Sequence, residues 1–175
     1  WYNGNIPKKE ASAVERRDKI NYYLDIAETV SERCTCLRKH YGAIIVKNDS
    51  ILSTGYVGAP RGRKNCSDLG RCIREELHIP RGERYELCRS VHAEANAIIA
   101  APRSEMLGAT LYMACRDAKT GELVAGTSSC SMCKRLIINA GIETVVVRDT
   151  REDYRVIRVQ DWVEDDESLE GKFGY

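Results

Sequence analysis

His92, Glu94, Cys130 and Cys133 are the residues of this 175-residue chain whose types and spacing could do chemistry together. One imidazole and two thiolates supply three of the four ligands of a tetrahedral zinc ion. Three protein ligands leave the fourth position open to water, the pattern of a catalytic rather than a closed structural centre. Glu94, two residues after the histidine, stands where a carboxylate could move protons to and from that water. Neither half is specific alone. C-x-x-C also serves redox pairs and half-sites of structural zinc, and a histidine in a helical run is usually packed or solvated. Together they are specific, because each opens an apolar helical run. The run after His92 stops at Pro102, and the run after Cys130 stops at Gly141. Ala and Leu favour helix, and Pro and Gly end it. Both motifs therefore sit on first turns, where the positive end of the helix dipole favours thiolate over thiol.

Composition bounds what else the chain does. It is 43% hydrophobic and 30% charged, with a net charge of +1. That suits one globular domain and supplies no global field to recruit nucleic acid or an anionic membrane. Aromatics are only 7%, and no aromatic-basic stripe of the kind that binds single strands is present. No apolar run reaches transmembrane length and no secretory signal pattern is visible. Eight cysteines in that context point to metal rather than disulfides, and to a cytoplasmic location.

The elements that must hold the motifs follow from periodicity. Residues 12–33 predict a helix, with Ser12 and Glu15 as a capping box and an apolar stripe that includes Ile20, Tyr23, Leu24, Ala27 and Val30. Tyr41–Lys47 and Ile51–Tyr56 read as strands joined by the turn Asn48-Asp49-Ser50. Thr110–Ala114, Glu143–Arg148 and Asp153–Val159 are three more strands, and the acidic run from Glu164 reads as a solvated end. Residues 57–90 lack periodicity and carry three cysteines, so a staple or a function is expected there. The order α-β-β-α-β-α-β-β predicts a mixed sheet with helices on its faces.

His92-Ala93-Glu94 with a later C-x-x-C is a known signature of zinc deaminases. The chain resembles the deoxycytidylate (dCMP) deaminases of the cytidine deaminase superfamily. The matching stretches are Tyr41–Val46, Ser53–Tyr56 with Gly58 and Pro60, Gly82-Glu83-Arg84, Val91–Ile98, Cys130–Gly141, Asp161-Trp162-Val163 and Gly171-Lys172. The resemblance implies a single domain over residues 1–175. Its implied fold is a three-layer α/β/α one around a mixed five-stranded sheet. It also implies hydrolysis of dCMP to dUMP and ammonia, supplying dUMP for dTMP synthesis, with Glu94 carrying protons to N3 and to the leaving amine. A homo-hexamer activated by dCTP and inhibited by dTTP is implied too, with Mg2+ accompanying the effector. Two positions depart from the pattern. Ser129 replaces the usual proline before the first catalytic cysteine. Val57 replaces an asparagine that reaches the sugar 3′-hydroxyl in related enzymes. Valine cannot hydrogen-bond, so dCTP, a 5-modified dCMP or deoxycytidine stay open as substrates. A non-catalytic zinc-stapled nucleotide-binding module is the alternative from another class, and Glu94 argues against it.

The remaining candidates are assigned by charge and position. Arg38, Lys39 and Arg116 are candidates for the substrate phosphate, and Tyr56 for stacking on the base. Gly58, Pro60, Arg61, Gly62, Arg63 and Lys64 form a basic, glycine-flanked loop where the resemblance places effector contacts. Some relatives carry a structural zinc; Cys36, Cys66, Cys72 and Cys88 are the candidate ligands here, with Cys34 and His78 as substitutes. Cys115 reads as a core strand residue.

Overall fold

Asp18 starts the first helix: its carboxylate accepts the Asn21 N–H at 3.0 Å, and α1 runs Lys19–Ser31. The computed structural model describes residues 15–166. Ser12, Val14 and Gly171-Lys172 lie outside the described residues, and the helix expected from residue 12 begins at Lys19 among them. Tyr23, Leu24, Ala27 and Ser31 form the buried stripe of α1.

Strands β1 (Lys39–Lys47) and β2 (Ser50–Tyr56) form a hairpin. Asn48 and Asp49 close it with φ of 48° and 63°, the left-handed pair a tight hairpin turn requires. The short helices α2 (Cys66–Leu69) and α3 (Ile73–Glu76) and a 3-10 turn at Tyr85–Leu87 organise the segment that lacked periodicity. Next come α4 (Ala93–Ile99), the single turn α5 (Arg103–Met106) and β3 (Thr110–Asp117). Then follow α6 (Ser131–Ala140), β4 (Thr144–Arg148), β5 (Tyr154–Arg158) and α7 (Val159–Glu164). After β5 the chain turns into α7, which periodicity did not predict; its Trp162 packs on the core beneath Lys134, 5.3 Å from its ring, while residues 164–166 of the acidic run are exposed as expected.

The sheet order is β2-β1-β3-β4-β5, with β3 and β4 parallel and every other pair antiparallel. This is the mixed five-stranded sheet the pattern predicted. The one parallel pair is joined by a crossover through α6, as parallel pairing demands. Period two then sorts the side chains. Ala43, Ile45, Leu111, Met113, Val145 and Val147 face α4 and α6; Ile44, Val46, Tyr112, Ala114 and Val146 face α1. Glycines let the helices close on the sheet. A Cβ at Gly55 would stand 2.2 Å from the Ala93 carbonyl of α4, and one at Gly42 would stand 2.0 Å from the Ala27 carbonyl of α1.

Candidate active site

Helices α4 and α6 both point their N-termini at one place. His92 is the N-cap residue of α4 and Cys130 that of α6, and Cys133 lies one turn into α6. Their ligand atoms lie within 4.8 Å of one another, and no other such group of three occurs among the described residues. His92 Nδ1 is 3.4 Å from each sulfur. Tetrahedral zinc, with bonds of about 2.0 Å to nitrogen and about 2.3 Å to sulfur, separates such atoms by about 3.6 Å. The donor set and its spacing therefore fit the ion, through Nδ1.

In the protein alone these ligands share protons. Burial opposes charge on His92, but hydrogen bonds with Cys130 and Cys88 outweigh it and move the imidazole up to about 10. A hydrogen bond from Cys133, aided by His92, draws Cys130 down to about 4, and that same bond pushes Cys133 upward. One thiolate is thus prepared in advance. Tyr85 supports the imidazole from the side, its ring edge-on at 5.0 Å. Ring and thiol neighbours of this kind orient a ligating histidine.

Glu94 is 4% exposed and follows His92 into the first turn of α4. Burial raises its pKa, against the opposing charge of His92. Its carboxylate hydrogen-bonds with Cys133 and with Ser129. Ser129, which stands where a proline was expected, is 1% exposed and also reaches Met113 Sδ at 3.6 Å. A carboxyl group raised by burial beside a metal-ligand set is placed to accept and return a proton.

These groups open on a cavity of about 210 Å³. Val57 forms part of its apolar wall, and Tyr85, Thr127 and Ser128 also line it. Of the candidates for substrate contact, Arg38 and Lys39 line the cavity and two others do not. Lys39 pairs with Asp117 at 2.8 Å and Arg38 with Glu75 at 3.5 Å. Arg116 points to the α1 side, bonding Glu28 and the Gly121 carbonyl. The reason is strand alternation: Cys115 faces the cavity side, so its neighbour must face away. Tyr56 is 37% exposed and does not line the cavity; its carbonyl accepts from Asn96 at 2.8 Å. Arg116 and Tyr56 are therefore removed as cavity contacts. Arg74, Arg81 and Tyr85 were not singled out from the sequence. They lie in an aperiodic segment, where spacing carries no information about facing.

Gly58 is buried and pairs with Val91 through two backbone hydrogen bonds. Pro60–Arg63 form a turn closed by Arg63 N–H to the Pro60 carbonyl, with Gly62 at φ 84°. Arg61, Gly62, Arg63 and Lys64 are exposed, and none of the six loop residues lines the cavity. Cys36, Cys66, Cys72 and Cys88 do line it. No three of their sulfurs come within 4.8 Å of one another, against the ~3.8 Å spacing of thiolates around tetrahedral zinc. Cys34 donates to the Tyr41 carbonyl instead, and His78 is exposed. Cys115 is fully buried in β3.

Residues 17–149 match the family model for the cytidine and deoxycytidylate deaminase zinc-binding region. The chain belongs to the cytidine and deoxycytidylate deaminase family. It is accordingly a zinc-site deaminase, a hydrolase. The chain is 36% identical over 137 residues to the deoxycytidylate deaminase of Mycobacterium phage D29, covering 76% of this chain and 96% of that one. The deoxycytidylate deaminase of Schizosaccharomyces pombe is 30% identical over 126 residues, covering 72% of this chain but only 35% of the yeast protein. Among solved structures, the apo dCMP deaminase of cyanophage S-TIM5 superposes with a TM-score of 0.53 at 27% identity. That alignment covers 79% of this chain and 88% of the phage protein.

Proposed function

We propose that the chain hydrolyses dCMP to dUMP and ammonia, supplying dUMP for dTMP synthesis. The observation that carries this reading is Glu94, buried beside the His92-Cys130-Cys133 ligand set in a cavity lined by several cations and one carboxylate, Glu94 itself. The relatives named deoxycytidylate deaminase support the choice of nucleotide. Zinc on those ligands would supply a water of pKa near neutrality. Glu94 would take one proton from water and deliver it to N3 of cytosine, then take the second from the new C4 hydroxyl and hand it to the leaving amine. The C4–N bond breaks, a C4–O bond forms, and nitrogen leaves as ammonia. Burial of Glu94 raises its proton affinity, the direction that suits a group that must collect protons before passing them on. Val57 offers only apolar contact, so sugar recognition rests on backbone or on other side chains. The test is to give zinc-loaded protein dCMP, dCTP, deoxycytidine and CMP and follow the loss of cytosine absorbance. We expect dCMP to react fastest; no turnover of dCMP refutes the reading.

Three finer features belong to this proposal. The exposed cations Arg61, Arg63 and Lys64 would grip the triphosphate of dCTP with Mg2+, or of dTTP, in a cytoplasmic homo-hexamer. The two effectors must favour different states, since equal binding shifts nothing. Removing charge at Arg61 and Arg63 should abolish both responses, and hyperbolic wild-type kinetics unmoved by either nucleotide would end the idea. Cys36, Cys66, Cys72 and Cys88 would hold a second zinc, a reading supported by the cavity wall they share. Elemental analysis should then give about two zinc per chain, falling by one in Cys66→Ser. Finally, residues 1–175 would act as one domain, which a single sheet spanning all five strands supports.

A further inference from the structure

We propose that Arg81 is the residue that recognises the 5′-phosphate and so selects a nucleotide over a nucleoside. This inference rests on the deaminase reading of the same cavity and names a determinant that reading left open. Five cations line the cavity: Arg38, Lys39, Arg74, Arg81 and Arg89. Four are committed. Lys39 pairs with Asp117 and Arg38 with Glu75. Arg89 donates Nε to the Lys64 carbonyl at 2.7 Å. Arg74, 3% exposed, donates to the Pro80 and Arg84 carbonyls at 2.9 and 2.8 Å and lies 4.5 Å from the centre of the Tyr85 ring. Arg81 alone has no ion pair or hydrogen bond among the described residues, although it stands on the cavity wall.

The segment that carries Arg81 is held still. Arg74 clamps the carbonyl just before it and another three residues after it, and Gly82 turns the chain at φ 91°. Arg74 is thus a positioning residue for Arg81. Arg81 is exposed at the cavity wall, and its positive charge works against the burial that raises Tyr41 and Cys115 on β1 and β3. A planar guanidinium without a carboxylate partner matches a phosphate dianion through paired N–H···O bonds. A clamped turn loses little further freedom on binding, so more of the contact appears as affinity.

The experiment compares kcat/KM for dCMP and for deoxycytidine in zinc-loaded wild type, Arg81→Gln, Arg81→Lys and Arg116→Gln. In Arg81→Gln the dCMP-to-deoxycytidine ratio should fall about 10- to 100-fold, the range of a charged hydrogen bond, and mainly through KM. Arg81→Lys should recover part of it, and Arg116→Gln should leave the ratio unchanged. An unchanged ratio in Arg81→Gln, or equal losses on both substrates, overturns the proposal. A second measurement separates it from the proposed function. Calorimetry of dUMP and deoxyuridine with zinc-loaded Glu94→Gln should show a dUMP preference that Arg81→Gln removes. If wild type fails on dCMP while that preference holds, the function falls and Arg81 stands. If dUMP binds equally well without Arg81, the proposal falls whatever the turnover.

Discussion

Adding one methyl group at Gly55 should disable the site without touching any of its residues. Gly55 lies on β2 against α4, and its Cβ would meet Ala93 O at 2.2 Å and Ala97 N at 2.4 Å. Ordinary contact begins near 3.4 Å, and the obstacles are backbone atoms that no rotamer change can move. Helix α4 must therefore retreat by about 1 Å, carrying His92 and Glu94 away from Cys130 and Cys133. A misplacement of that size costs ~100-fold in rate. Gly42→Ala is the matched control. Its Cβ would meet Ala27 O at 2.0 Å, but the helix displaced is α1, which bears no site residue. Overpacking should cost each variant about 1–3 kcal/mol, or roughly 2–12 °C at this chain length. The assay pairs thermal unfolding by circular dichroism with kcat on dCMP and zinc content, all at a temperature well below both midpoints. We expect similar losses of midpoint, ~100-fold loss of kcat in Gly55→Ala, and less than about 5-fold in Gly42→Ala. Equal losses of kcat at equal loss of stability, or full activity in Gly55→Ala, would refute the claim that the placement of α4 sets the rate.

Three further outcomes are expected. Glu94→Gln should keep its zinc by elemental analysis yet lose ~10²–10⁴-fold in kcat; a loss under about tenfold would remove Glu94 from the proton transfers. Asp117 is held down to about 2 by Lys39 and by the N–H groups of Lys119 and Thr120. Its folded pKa lies below the 3.8 of a free aspartate, so its contribution is present above that value and is lost as pH falls through the folded one. Asp117→Asn should then melt below wild type at pH 7, with the gap closing between about pH 4 and about pH 2; a constant gap would contradict this. Arg148 is 1% exposed and bonds Asp25, Glu28 and Asn21 at 2.6–3.0 Å. Removing one partner of a buried network costs about 3–5 kcal/mol, and the half-exposed Asp25 draws Arg148→Met to about 3 kcal/mol in urea unfolding. A cost below about 1 kcal/mol would show the network to be dispensable.

The chemistry of this chain is legible in its sequence because it is local. In a first helical turn, spacings of two and three residues fix where His92, Glu94, Cys130 and Cys133 stand relative to each helix start. Pro102 and Gly141 mark where those helices end. The five strands and their mixed pairing follow from runs of β-branched residues and one left-handed turn at Asn48-Asp49. The helix caps were less legible: Asp18, rather than Ser12, starts α1, because its carboxylate reaches the Asn21 N–H. The short α7 went unseen because its stability comes from Trp162 packing on the core, not from its own periodicity.

Facing and closure were decided only by tertiary structure. Arg116 and Lys39 look equivalent in sequence, both basic and both at a strand end. The pleat turns Lys39 to the cavity and Arg116 to α1, where Glu28 takes it. Tyr56 and Tyr85 differ in the same way, and only the path of the aperiodic segment brings Tyr85 against His92. Arg74 and Arg81 give no signal at all in sequence, since their roles depend on which carbonyls and which wall the folded loop presents. Local spacing names the reacting groups; the long-range packing of residues 57–90 over the sheet determines what those groups can recognise.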